Sequence, residues 1–139
     1  MANEVLLSCK GICKEFGPTR ALIDVDFELR RGQVCGLIGE NGSGKSTLTS
    51  IFAGAQQPNK GEMFRDGQPY KPADMVDAQQ HGIAMIVQEA GTLPAVNVAM
   101  NVFVGNLERF RSHGVLNGKK MISEATKALR DIGVEDITG

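Results

Sequence analysis

The 139 residues, 42% hydrophobic and 22% charged, are enough for one modest domain with a core of its own. With 15 Lys+Arg against 16 Asp+Glu the net charge is -1, which excludes wholesale recruitment by nucleic acid or anionic lipid. No apolar run approaches the roughly 18 residues of a membrane span, and residues 1–15 lack the apolar centre of a signal peptide; Cys9, Cys13 and Cys35 stand in no redox or zinc spacing, with His81 and His113 far off, so free thiols in a reducing cytosol are expected.

In chain order, residues 5–9 and 21–29 are predicted strands, separated by a turn at Gly17-Pro18. In the second, Ile23, Val25, Phe27 and Leu29 alternate with Asp24, Asp26 and Glu28, which predicts one apolar and one polar face. Arg31-Gly32 turns the chain into Val34–Ile38, an apolar run with the character of a buried parallel strand. Leu48, Ile51 and Phe52 then mark one face of a helix that Gly54 ends. Gly61–Gly67 is a strand ending in an Asp66-Gly67 turn. The single tyrosine, Tyr70, falls in the Pro69–Pro72 connection and is expected on the surface. Asp74 is placed to cap a short helix over 74–81, and Ile83–Val87 is a second buried strand. From Met121 the apolar positions 121, 122, 125, 129 and 132 share a helical face closed by Gly133. The basic pairs Arg30-Arg31 and Lys119-Lys120 belong to solvated surface. There is no internal repeat.

The most specific feature is Gly39-Glu40-Asn41-Gly42-Ser43-Gly44-Lys45-Ser46, which satisfies G-x-x-x-x-G-K-[ST] between a predicted strand and a predicted helix. A triphosphate needs donors that converge on its oxygens with no side chain in the way, and Gly39, Gly42 and Gly44 allow that approach. The N–H groups from about Gly42 to Thr47 then open a helix start whose dipole also favours anions. The pattern predicts that Lys45 reaches the β- and γ-phosphates, that Ser46 ligates Mg²⁺ and that Thr47 donates to the α-phosphate. Glu40 lies in the loop with its backbone toward phosphate and its side chain toward water.

Two P-loop classes fit poorly. The guanine-reading motifs of small GTPases are approached only by Asn59-Lys60-Gly61-Glu62 and Asp136-Ile137-Thr138-Gly139, in reversed order and with Glu for Asp. Nucleotide kinases open on their P-loop strand, whereas here strand, turn and strand precede it. The stretch Gly36–Leu48, by contrast, resembles the Walker A region of ABC-transporter ATPases. Lys14–Pro18 and Ala21–Phe27 are similar to that family's antiparallel N-terminal sheet, with Phe16 at the aromatic position. Val87-Gln88-Glu89 and Leu93–Val98 resemble its Q-loop, and with Asn101–Gly105 the wording is most similar to bacterial importers of ribose, galactose, xylose and related molecules.

The resemblance implies an α/β fold: a P-loop NTPase of ABC type, with an N-terminal antiparallel β subdomain and a partial parallel core, truncated. Residues 1–92 would hold the β subdomain and the P-loop half of the core, and residues 93–139 the rest of the Q-loop and the start of a helical subdomain. It implies ATP and Mg²⁺ as ligands, a loop from Gly39 to Thr47 (with Asn41, Gly42 and Ser43) on the phosphates, Phe16 on adenine, and Ser46 and Gln88 on the metal. The plainer alternatives are Phe16 as a cover of the sheet edge and Gln88-Glu89 as a degenerate Walker B, which fails because an amide cannot supply the carboxylate.

The signature sequence, Walker B Asp, catalytic Glu and switch His of the family are not found, so no catalytic residue is assigned and the chain is expected to be inactive alone, as the N-terminal part of a longer protein. That parent would be an ATP hydrolase on the inner face of the cell membrane, energising import of a sugar or similar molecule. Its partners would be membrane permease subunits, a second ATPase unit and, indirectly, an extracytoplasmic solute-binding protein, with no nucleic acid. A soluble ABC protein of the translation or DNA-repair type, using ATP as a switch, is the alternative.

Overall fold

The computed structural model describes residues 4–87, 91–112, 114–135 and 137. Contacts divide the chain into two compact units, Met1–Val87 and Gln88–Gly139.

The first unit is built on a four-stranded antiparallel sheet. Strands β1 (Val5–Phe16) and β2 (Thr19–Arg30) form a hairpin through Gly17-Pro18, and β3 (Lys60–Arg65) pairs with the other edge of β1. The Asp66-Gly67 turn, both residues at positive φ, returns the chain into β4 (Gln68–Pro69), so the order is β2-β1-β3-β4. Helix α1 (Lys45–Phe52) presents Leu48, Ile51 and Phe52, as the spacing predicts, to a core of Leu7, Cys9, Ile12, Leu22, Met63 and Tyr70. Asp74 caps α2 (Met75–Gln80) by accepting from Asp77 N–H at 2.8 Å, and the Asp77 carboxylate accepts from Ala73 N–H at 2.8 Å.

The alternation expected along β2 breaks at one point. Leu22 is buried while Ile23 is 64% exposed, and Val25, Phe27 and Leu29 face inward again. The cause is a bulge: Asp24 takes φ 52°, and its N–H donates to Cys13 Sγ at 3.3 Å. A compensating bulge on β1 at Gly11, whose N–H donates to Asp26 Oδ1 at 2.7 Å, restores the register. One extra residue exchanges the faces, because the side-chain period of a strand is two.

Tyr70 is the second departure: it is buried, not on the surface. Its hydroxyl donates to Phe52 O at 2.8 Å and its ring meets His81 edge-on at 5.7 Å. The bond satisfies a carbonyl in the last turn of α1, which the helix itself leaves open, and burial raises the phenol's pKa.

The third is that neither 34–38 nor 83–87 forms a strand. Among the described residues they have no ladder partner, and Val34, Ile38 and Ile86 are 99%, 97% and 97% exposed. A continuous apolar run becomes a buried strand only with neighbours at both edges and cover on both faces. Here only Ile83 packs against the core.

The second unit holds α3 (Val98–Val102), capped by Asn97, a 3₁₀ turn at Leu107–Phe110, a two-residue ladder of β5 (Arg111–Ser112) with β6 (Val115–Leu116), and α4 (Gly118–Asp131). Ala99, Phe110, Met121 and Ala125 form its core. Only part of the face expected on α4 is covered: Met121 and Ala125 are buried, whereas Ile122 and Ile132 are exposed, because what packs against α4 is the narrower stripe i, i+4. The helix ends as expected at Gly133, with Val134 N–H on Leu129 O and Gly133 N–H on Arg130 O, both at 2.9 Å. Arg109 lies over the rings of Phe103 and Phe110 and pairs with Glu124 on α4.

Two of the three thiols differ sharply. Cys9 is buried and donates to Val25 O at 3.6 Å; burial pushes its pKa from 9.0 up to about 11, against a smaller lowering by the Phe27 backbone. Cys35 is exposed. At pH 8 iodoacetamide is expected to modify Cys35 readily and Cys9 only after denaturation, as peptide mapping by mass spectrometry would show. The folded-state pKa of Cys9 lies above its ordinary value. Its contribution to stability is therefore intact below pH 9.0 and is lost as the pH rises through about 11.

Candidate functional site: a phosphate-binding loop

The loop before α1 closes on itself. Ser43 N–H donates to Glu40 O at 3.2 Å, and the Lys45 ammonium curls back over the loop to Gly39 O at 2.8 Å, Glu40 O at 2.7 Å and Ser43 Oγ at 3.2 Å. Three acceptors around one ammonium match its three donors. Gly44 makes the transition into the helix at φ 89°, with no side-chain cap. A Cβ at Gly44 would stand 2.5 Å from Ala21 O and 2.6 Å from Leu22 Cδ2, so the loop lies directly on the start of β2. Only glycine combines that conformation with that approach.

Among the described residues no acceptor pairs with the backbone N–H groups of Lys45, Ser46 and Thr47. These are the orphan donors that a helix start leaves open, and they share a location with the lysine cation and the positive end of the helix dipole. Ser46 is exposed, Thr47 is half-buried, and Thr49 Oγ1 donates to the carbonyls of Lys45 and Ser46 at 3.3 and 3.1 Å. Asn41 and Gly42 are exposed at the rim of the loop, as are Glu40 and Gly39. Positive charge, free donors and a glycine floor fit a polyphosphate with its bound cation. No cluster of three His, Cys, Asp or Glu side chains offers a metal a carboxylate or imidazole cage among the described residues.

Gly39–Thr47 are thus brought together. Phe16 stands at the end of β1, 45% exposed, and pairs with Thr19; the contact of Ala21 with Gly44 lies two residues further along β2. Lys14 Nζ sits 5.2 Å from the Phe16 ring centroid. Gln88 lies outside the described residues. Sequence spacing gave no hint of what fixes the Phe16 hairpin. Lys14 Nζ donates to Gln57 O at 2.7 Å, Asn59 Oδ1 accepts from Glu15 N–H at 2.8 Å, and Asn59 N–H donates to Cys13 O at 2.8 Å. These partners are separated by more than forty residues of chain, so no local pattern announces them.

Known proteins place this geometry. The sequence profile of the ABC transporter family matches residues 22–139, which takes in the loop but not β1. The chain belongs to the ABC transporter family. Members of the family bind ATP. This ABC-family chain is 39% identical over 132 residues to the ribose import ATP-binding protein of Caldanaerobacter subterraneus, covering 95% of the chain and 26% of that protein. It is likewise 39% identical over 132 residues to the galactofuranose transporter ATP-binding protein of Escherichia coli, covering 94% and 26%. The chain therefore spans about a quarter of the length of the curated relatives it matches.

Among solved structures, an ATP-binding cassette of an ABC transporter superposes with a TM-score of 0.77 at 24% identity, over 96% of this chain and 56% of that one. A nucleotide-free cassette gives 0.72 at 22%, over 96% and 59%. At that identity the likeness concerns the ABC fold, which is the α/β architecture that the resemblance implied. Among the described residues no helix of this ABC-family chain is long and apolar enough to cross a membrane.

Proposed function

We propose that this chain is the ATP-binding part of an ATPase subunit that energises import of a sugar or similar small molecule. The observation that carries the reading is the convergence of the Lys45 ammonium and the unpaired N–H groups of Lys45, Ser46 and Thr47 above Gly44. The sugar importers are its relatives at 39% identity, which favours that cargo class. In this reading the backbone from Gly39 to Thr47 holds the triphosphate, with Lys45 at the β- and γ-phosphates and Phe16 stacked on adenine. The Ser46 hydroxyl and the Gln88 side-chain carbonyl hold Mg²⁺, which when bound neutralises charge on the phosphates.

Residues 1–92 serve as the β subdomain and the P-loop half of the ATPase core, and 93–139 as the rest of the Q-loop and the start of the helical subdomain. The segment from Gln88 to about Val98 leaves a metal ligand and runs to the surface that meets the permease, so that loss of the γ-phosphate is felt as a movement. The parent works at the inner face of the membrane with permease subunits and a second ATPase unit, and is served by an extracytoplasmic solute-binding protein.

A comparison of two ligands tests the site. Stacking of a base on an aromatic ring is worth about 1–3 kcal/mol by alanine substitution. Phe16→Ala should weaken Mg·ATP by roughly five- to a hundredfold and leave inorganic triphosphate, which has no base, unchanged in calorimetry. Parallel losses for both ligands would make Phe16 purely structural.

Turnover is the complementary test. Hydrolysis needs a water-orienting carboxylate beside the γ-phosphate and charge stabilisation across a dimer, and this chain supplies neither. The isolated 139-residue chain should release no phosphate above background in a coupled assay. Sustained multiple turnover abolished by Lys45→Ala would refute that inventory.

A further inference from the structure

The segment Leu93–Asn97 has neither ladder nor helix to hold it, and its apolar side chains bury little: Leu93 is 49% exposed, and Pro94 and Ala95 are exposed. One side chain on α3 supplies what the segment lacks. Asn101 Oδ1 accepts from Leu93 N–H at 2.7 Å, while Nδ2 donates to Leu93 O at 3.1 Å, Asn97 O at 3.1 Å and Val96 O at 3.4 Å. Both polar backbone groups of Leu93 are thereby engaged by one amide, as a neighbouring peptide would engage them in an antiparallel ladder. The amide's orientation is decided by the same contacts. Turned over, it would set Oδ1 against three carbonyls and a nitrogen against an N–H.

The rest of the segment's fixation is slight. Val96 N–H reaches Leu93 O at 3.4 Å, and the Asn97 side chain is committed to Met100 N–H as the cap of α3. Asn101, by contrast, is mounted on a helix anchored by the fully buried Ala99 beside Phe110 and Met121. A side-chain clamp on a packed helix thus imposes one shape on an otherwise exposed segment.

We infer that Asn101 is the positioning residue for Leu93–Asn97, presenting that segment preformed to the membrane subunit. This rests on the docking role proposed above for Gln88 to Val98. A segment already ordered before contact loses less conformational entropy on docking, and a change at the nucleotide is passed on instead of being absorbed in slack. Asn101→Asp is the sharp probe. It keeps the shape and the acceptor for Leu93 N–H, removes both donors and sets a carboxylate against three carbonyls. Asn101→Ala removes every bond of the clamp.

The test uses the full-length ATPase subunit and the assembled transporter. Both variants should raise amide exchange in residues 93–97 about three- to tenfold while α4 exchanges as before. In the assembled transporter ATP hydrolysis should stay within about twofold, and transport per ATP should fall at least about fivefold. A residue that merely stabilised the fold would lower hydrolysis and transport together. Unchanged exchange in 93–97 overturns the clamp. Faster exchange with an unchanged transport ratio overturns the positioning role. A separate cross-link from Ala95→Cys to the permease in the otherwise intact transporter tells the two failures apart. With the cross-link formed, an unchanged ratio removes only the role of Asn101; without it, the docking reading falls and takes that role with it.

Discussion

Gly44→Ala should destabilise the protein by about 2–5 kcal/mol, the sum of a left-handed conformation forced on a side chain and a methyl group driven into packed atoms. The residue sits at φ 89°, and the new Cβ would lie 2.5 Å from Ala21 O, a backbone atom of β2. The Leu22 side chain, 2.6 Å away, could turn aside, but the Ala21 carbonyl could not. Gly42→Ala is the natural control, because Gly42 has φ 84° but no atom within 4 Å of where a Cβ would stand. It should therefore cost only the conformational part, about 1–2 kcal/mol. Urea unfolding of both variants measures the difference. Against the roughly 5–15 kcal/mol that typically separates folded from unfolded domains, the first loss is large and the second modest. Equal midpoints for the two would mean that the loop does not rest on β2 in solution.

Lys45→Ala should weaken Mg·ATP roughly ten- to a hundredfold, since charge-assisted hydrogen bonds are worth about 1.5–3 kcal/mol each. The three acceptors that the ammonium now holds, Gly39 O, Glu40 O and Ser43 Oγ, show that it reaches back across the whole loop and bridges its two ends. A phosphate oxygen would take over part of that coordination. Inorganic triphosphate should suffer the same loss as ATP, because the lysine meets the phosphates and not the base, and this is the pattern opposite to that of Phe16→Ala. Equal ATP affinity for variant and wild type in calorimetry would remove the loop from the binding site.

What could be read directly from the residues shares one property: its cause lies within a few positions of chain. The Gly39–Ser46 pattern, the helix face of Leu48, Ile51 and Phe52, the Asp74 cap, the Asp66-Gly67 turn and the Gly133 stop all follow from spacing or from one residue's dihedral preference. The ABC family, too, was legible from contiguous stretches, Gly36–Leu48 together with Ala21–Phe27 and Leu93–Val98.

The tertiary structure decided what depended on distant partners. Tyr70 is buried because Phe52 O, eighteen residues earlier, accepts its hydroxyl, and no local signal distinguishes that tyrosine from a surface one. Leu22 and Ile23 exchanged faces because Asp24 bulges against Cys13, a pairing made only once the hairpin closes. Residues 34–38 and 83–87 have strand-like composition, yet a strand is defined by hydrogen bonds to another strand, and among the described residues none reaches them. The Asn101 clamp needs the turn at Pro94 and the packing of α3 together before its amide can meet Leu93. Composition and spacing set which conformations each stretch prefers; which groups meet across the fold is set by contacts that exist only once the chain has closed on itself.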